Sequence, residues 1–185
     1  MRSTAYILIT AVALMTAACG SSPTSPSTTT STATTTTTST SSAAPTPRAG
    51  TGTFTALVDD VAFTPLAIQV STSSGAVLVS ATGVAGSTPV AIGFGVLATG
   101  TGTYVIPGAG ASGGNNALLV NFSTAGVVTA SWAANSSQGT GTVTVSALST
   151  TSVSGTYTLT LQPSSSAGPA GTGTKVLTGT FNLTF

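Results

Sequence analysis

The sequence predicts an all-β fold, an antiparallel sandwich or closed barrel of about 8–10 strands that follows a disordered tether. Apolar residues alternate with Thr and Ser at a period of two through much of residues 51–185, as in half-buried strands. Clusters of Gly, Pro, Ser and Asn separate these runs and suit hairpin turns. Long crossover connections, which parallel pairing would need, are absent from the sequence.

Residues 1–18 are expected to be a secretory signal peptide. Arg2 provides a positive start, Ala5–Met15 is apolar apart from Thr10, and small residues lead to Cys19. The apolar run is shorter than the roughly 20 residues of a membrane-spanning helix. The segment resembles the lipobox of bacterial lipoproteins, and this resemblance implies that Cys19 is acylated and becomes the mature N-terminus. Because no Asp follows Cys19, the resemblance also implies sorting to the outer membrane.

Residues 19–50 are expected to be a lipidated cysteine followed by a disordered linker. From Gly20 to Gly50, 20 of the 31 residues are Ser or Thr, Pro is frequent and no aromatic residue occurs. Such a segment buries too little apolar surface to offset the entropy of ordering. It would act as a spacer, and its composition also suits O-glycosylation.

The folded domain is expected over residues 51–185, with ten strands. Alternation is clearest in 155–162, where Tyr157, Leu159 and Leu161 share a face opposite threonines. Thr is β-branched and suits strands, but it leaves edge strands without protective charge, a hazard that closure of the sheet would remove. The expected strands are 52–58, 61–63 continuing into 67–72, 76–82, 89–97, 102–106, 117–123, 126–133, 140–148, 155–162 and 175–185.

A short motif, Gly-Thr-aromatic, occurs four times. We expect a turn glycine followed by the first inward-facing aromatic residue of a strand. The spacing of the motifs is irregular, so they do not indicate a solenoid repeat. The motifs begin at Gly52, Gly102, Gly155 and Gly179.

The composition excludes several classes of chemistry. The 185 residues include three Lys or Arg, two Asp or Glu, one Cys and no His, so charged residues are 3% against an average near 25%. Catalytic triads with His and metal sites built on His are excluded, as is an internal disulfide. Three cations are too few for nucleic-acid binding. We therefore expect no catalytic residues, no metal site, no cofactor and no enzyme activity.

Four residues remain as candidates outside the signal segment. Asp59 and Asp60 are expected in the turn between the first two strands, and a weak Ca²⁺ site there is the less favoured interpretation. Lys175 is expected to protect an edge strand. Trp132 is either a core residue or a ligand-stacking residue at a barrel mouth.

Four stretches resemble a family of bacterial lipoprotein domains of unknown function. They are Gly52–Phe63, Gly102–Pro107, Gly139–Leu161 and Thr178–Phe185. The resemblance implies an antiparallel β domain on a lipid anchor, and it implies no catalytic or binding residue.

Two functions follow as expectations. The first is a non-enzymatic lipoprotein of the cell envelope that interacts with an unknown protein partner. The alternative is a carrier that holds a small apolar ligand inside the barrel. An internal pocket lined by Trp132 would favour the carrier, and a filled interior would favour the interaction module.

Overall fold

The structure, a computed structural model, describes residues 46–73, 75–110 and 113–185. The expected signal peptide, Cys19 and the expected linker up to residue 45 lie outside the described residues. The described residues belong to one compact unit, Pro45–Phe185. In this part of the chain, no helix is long and apolar enough to cross a bilayer.

The described residues form eleven strands. All ten expected strands are present, with bounds that differ by a few residues. They are β1 (Arg48–Ala49), β2 (Thr51–Val58), β3 (Val61–Ser73), β4 (Ala76–Ala85), β5 (Thr88–Val96), β6 (Gly102–Ile106), β7 (Asn116–Phe122), β8 (Val128–Ala134), β9 (Thr140–Leu148), β10 (Ser152–Pro163) and β11 (Lys175–Thr184).

The strands form one antiparallel sheet that closes into a ring. Along the sheet the order is β11-β2-β3-β4-β5-β7-β8-β10-β9-β6, and β10 also pairs with β11. Residues 153–160 of β10 pair with β9, whereas Gln162 and Pro163 pair with Ala133 and Trp132 of β8. The all-β, antiparallel prediction is therefore confirmed.

Two strands differ from the expectation for identifiable reasons. Strand β1, within the segment assigned to the linker, is only two residues long and pairs with Val70 and Gln69 of β3, so no alternation could reveal it. Strand β3 is continuous because a bulge between Pro65 and Ala67 absorbs an extra residue. The bulge leaves Leu66 78% exposed, as an unpaired residue in a bulged strand can be.

The interior of the ring is filled by apolar side chains. Phe94 of β5 lies 5.1 Å from Tyr157 of β10 and 5.4 Å from Phe181 of β11, measured between ring centroids. Phe54 of β2 stacks on Tyr157 at 5.7 Å. These distances are those of favourable aromatic pairs, so β5 packs against β10 and β11 across the core.

Glycines make room for two of these rings. Gly52, Gly155 and Gly179 lie inside β2, β10 and β11, not in turns, so the expectation of a turn glycine is wrong at these three positions. A Cβ atom on Gly155 would lie 2.7 Å from the ring of Phe181, and one on Gly179 would lie 2.6 Å from the ring of Tyr157. Gly155 and Gly179 thus each leave space for the aromatic ring of the residue that pairs with them on the neighbouring strand.

Candidate functional site

Asp59 and Asp60 form the turn between β2 and β3, as predicted. Both have positive φ angles, 48° and 65°, which is the backbone of a two-residue type I′ hairpin turn. The Asp59 carboxylate accepts hydrogen bonds from Lys175 Nζ at 2.6 Å and from the main-chain N–H of Val176 at 2.8 Å. No group of three or more potential metal ligands lies together in the described residues.

The pKa of Asp59 is lowered by its partners. Burial acts in the opposite direction and would raise this pKa, but the hydrogen bonds from Lys175 and Val176 and the charge of Lys175 together outweigh it. The ion pair is partly exposed, with side-chain exposures of 29% for Lys175 and 38% for Asp59. Such a pair contributes less than about 1 kcal/mol to stability.

Lys175 has a different role from the one expected. It begins β11, which pairs with both β10 and β2 and is not an edge strand. Its ammonium lies between the Asp59 carboxylate and the indole of Trp132, 5.5 Å from the ring centroid. The β2–β3 turn and two strands, β8 and β11, thus bring together three residues that are far apart in the sequence.

Trp132 is a buried residue of β8, 3% exposed. Its indole N–H donates to the carbonyl oxygen of Gly173 at 3.0 Å. The main chain of Gly171 lies directly on the ring, since a Cβ atom there would be 2.0 Å from the indole. A ligand could reach this ring only if the β10–β11 connection moved, and the ligand-binding role of Trp132 stays a prediction.

Residues 164–174, called the strap here, cover one side of β8. Ser131 is fully buried beneath the strap, and its hydroxyl donates to the carbonyl oxygens of Ser164 and Pro169. Its main-chain N–H also donates to Pro169, and its carbonyl oxygen accepts from Gly171. Ala167 of the strap packs on a second apolar cluster outside the ring, formed by Ala91, Val120 and Phe122 with Leu118 and Val128.

An open groove of about 640 Å³ lies where β1 meets two hairpins. Arg48 and Val77 line it together with Leu148 and Phe185, and several hydroxyl groups complete its wall. Trp132 is not among the lining residues. The groove is therefore distinct from the internal pocket that the carrier hypothesis expects.

The most regular surface in the described structure is built by β6, β9, β10, β11 and β2. Alternate positions of these strands are buried in the core, so the intervening side chains point outward. We call this surface the threonine face. Its Thr, Ser and Asn members are Thr51, Thr53, Thr55, Thr103, Thr140, Thr142, Thr144, Ser146, Ser152, Ser154, Thr156, Thr158, Thr160, Thr178, Thr180, Asn182 and Thr184.

The strand registers align these hydroxyl groups into rows across the sheet. One row, called the central row, contains a threonine from each of the five strands. A second row consists of Thr142, Thr158 and Thr178, with Val105 at one end and Leu57 at the other. The central row consists of Thr103, Thr144, Thr156, Thr180 and Thr55.

Neighbouring hydroxyls in this face contact one another. The Oγ1 atoms of Thr55 and Thr180 are 2.9 Å apart, and those of Thr103 and Thr144 are 3.1 Å apart. Thr103, Thr156, Thr180 and Thr55 are exposed, and Thr144 is half-buried. Cross-strand Thr pairs of this kind stabilise a sheet, so the row is an ordered array.

The opposite outer surface differs in composition. Across β3, β4, β5 and β7 one row reads Ser71, Leu78, Gly95 and Asn116. Rows on this side mix leucine, valine and glycine with hydroxyl residues. The regular pattern of threonines is therefore found on one side of the described structure, and the high Thr content of the chain does not by itself explain it.

The sequence predicts threonines on one face of single strands, but it does not predict the rows that they form across the sheet. Threonine at every second position in 140–144, 156–160 and 178–180 is visible in the chain. The rows depend on which strands are neighbours and on their register, and neither is visible from one strand at a time.

Comparison of the chain with protein-family models, curated proteins and solved structures finds no match. The resemblance to a lipoprotein domain family therefore stays a prediction, and the functional argument rests on the residues themselves.

Proposed function

We propose that this chain is a lipoprotein of the cell envelope, held on the outer membrane through an acylated Cys19, and that its folded domain is a non-enzymatic interaction module. The observation that carries the proposal is the contrast between a filled interior and the regular, uncharged threonine face. A filled interior supports a function on the surface, and the threonine face is a surface on which the strand registers align hydroxyl side chains into rows.

The anchor is supported by the sequence. Cys19 is the single cysteine of the chain and follows a short apolar segment that ends in small residues. Acylation with two or more chains would hold the protein stably on a bilayer, since each buried CH₂ contributes about 0.8 kcal/mol. The Ser- and Thr-rich linker would then separate the domain from the membrane.

The anchor is tested by Cys19→Ser in cells grown with labelled palmitate. The unaltered chain should carry the label and remain in the membrane fraction. Cys19→Ser should lose the label and enter the soluble fraction. The matched control is Ser21→Ala, two residues further on, which should behave like the unaltered chain. A Cys19→Ser chain that stays in the membrane would refute the anchor.

The carrier alternative has less support from the geometry. Its discriminating feature was an internal pocket lined by Trp132, and Trp132 is instead covered by Gly171 and by Lys175. A tight, saturable complex with a fatty acid or another apolar molecule, measured by tryptophan fluorescence, would restore this alternative.

A further inference from the structure

The threonine face has the chemistry of a surface for an uncharged partner. Within the described strands that build it, no outward position holds a charged or an aromatic side chain. A protein or lipid partner with charged groups would find no charge complementarity here. A polysaccharide would find no aromatic ring on which a sugar could stack.

The face is also periodic in two directions. Neighbouring antiparallel strands lie about 4.7–4.9 Å apart, and alternate residues of one strand are roughly 6.8 Å apart. Each threonine contributes one hydroxyl and one methyl group to this pattern of backbone positions, and two hydroxyl pairs of the central row, Thr55–Thr180 and Thr103–Thr144, approach to 2.9 and 3.1 Å by hydrogen bonding to each other. The central row extends the repeat over five strands, and the row beside it places methyl groups of Val105 and Leu57 at its two ends.

A partner that matches this surface must itself be neutral, periodic and able to form hydrogen bonds with hydroxyl groups. Rows of oxygen atoms in hexagonal ice repeat at nearly the strand spacing. The rows would present single hydroxyl groups and hydrogen-bonded pairs of hydroxyl groups to the waters of such an ice surface, and the methyl groups would lie between them. Such water-mediated contacts are nearly as favourable as direct hydrogen bonds.

From this match we infer that the threonine face binds ice. The inference rests on the part of the proposed function that assigns interaction to this face, and it is independent of the anchor at Cys19. Because adjacent strands are rotated by about 20–25°, the match to a flat crystal plane extends over a few strands only. The expected activity is therefore slowing of ice recrystallisation, with little depression of the freezing point.

The test uses the full chain with Cys19→Ser, so that acylation does not affect the result. Fluorescently labelled protein is frozen slowly with a growing ice hemisphere, and its partition into ice is measured beside its effect on ice-grain growth. The blocking variant is Thr156→Tyr, at the centre of the central row. The matched control is Thr64→Tyr, an exposed threonine of β3 outside the threonine face.

The protein with an unaltered threonine face and the Thr64→Tyr control should both enter ice and slow the growth of ice grains. Thr156→Tyr should reduce partition into ice about tenfold, which corresponds to roughly 1.4 kcal/mol of binding free energy. Circular dichroism and melting curves establish that both variants fold. Thr156→Val provides a second variant, since it retains the methyl group and the strand propensity, replaces the hydroxyl with a second methyl group, and should retain part of the partition.

Three results would overturn the inference. One is exclusion of the unaltered chain from ice to the same extent as Thr156→Tyr. The second is equal loss of partition in Thr156→Tyr and Thr64→Tyr. The third is retention on crystalline cellulose or chitin without retention in ice, which would assign the face to a polysaccharide. None of these results bears on the labelling of Cys19.

Discussion

The hydroxyl of Tyr157 donates a hydrogen bond of 2.8 Å to the main-chain carbonyl oxygen of Thr55. Tyr157 belongs to β10 and Thr55 to β2, and β11 lies between these strands in the sheet. The phenol crosses β11 where Gly179 has no side chain. One hydrogen bond thus connects a core aromatic residue with the backbone of the threonine face.

Tyr157→Phe should reduce the free energy of unfolding by about 1 kcal/mol, because the Thr55 carbonyl loses its buried donor. The melting temperature should fall by roughly 2–4 °C. Tyr104→Phe is the matched control, since the half-buried Tyr104 hydroxyl donates at 2.8 Å to Gly100 within the same segment. A smaller effect is expected there, and equal effects in both variants would contradict a special role for Tyr157.

The same residue should set the alkaline limit of stability. Burial raises the pKa of the Tyr157 phenol above its ordinary value. A raised pKa in the folded state means that stability is fully present below the unfolded pKa near 10 and is lost as the pH rises above it. Melting curves should show a decline above about pH 10 that is weaker in Tyr157→Phe. An identical decline in that variant would assign the effect to another group.

Gly179→Ala should destabilise the fold by about 1–3 kcal/mol, as overpacking of a core does. The added Cβ would lie 2.0 Å from the Thr55 carbonyl oxygen and 2.5 Å from the Tyr157 hydroxyl oxygen. Gly100→Ala is the control, because a Cβ atom there has no neighbour within 4 Å. Chemical denaturation measures both variants, and a neutral Gly179→Ala would show that the aromatic ring has room to shift.

Neutralising the Asp59–Lys175 pair should have a small effect on stability. Asp59→Asn and Lys175→Met are each expected to cost less than about 1 kcal/mol, because the pair is partly exposed. The lowered pKa of Asp59 means that its contribution is present above the unfolded pKa near 3.9 and is lost as the pH falls below it. A double-mutant cycle, with Asp60→Asn as control, measures the coupling. Coupling that is large and insensitive to salt would contradict this prediction.

Gly171→Ala should displace the strap from Trp132. The Cβ atom would lie 2.0 Å from the indole, so the strap or the ring must move. Tryptophan emission should shift to longer wavelength and become easier to quench with acrylamide. Thr172→Ala, at the exposed neighbouring position, is the control and should leave the emission unchanged. Unchanged emission in Gly171→Ala would mean that the strap is firmly held by Ser131.

The fold class could be predicted from the sequence because the longer strands, unlike the two-residue β1, show a local alternation of apolar and polar residues. Alternation in 140–148 and 155–162 depends only on residues two apart. The Gly-Thr-aromatic motif predicts turns at Gly155 and Gly179 because a glycine inside a strand is unusual, and the ring that each glycine accommodates comes from another strand. The Gly, Pro and Ser composition of the strap has no periodicity and predicts a turn only.

The candidate site was less accessible to prediction. Asp59, Trp132 and Lys175 were each singled out, but their contact depends on pairings between distant strands. The rows of the threonine face depend on register across five strands. Sequence reasoning therefore identified residues, while the structure supplied their neighbours.

The joint between β8 and β10 is the narrowest connection of the ring. It has two paired positions, Gln162 with Ala133 and Pro163 with Trp132, and Pro163 has no N–H to donate. Local opening favours places with few backbone hydrogen bonds, so amides on this side of β8, apart from that of Ser131, which donates to the strap, should exchange with solvent before those of β10 and β11. A molecule in which the joint between β8 and β10 opens would keep most of its sheet, but the edges of β8 and β10 would be exposed. On heating, self-association should therefore begin there, by exchange of strands between two opened rings.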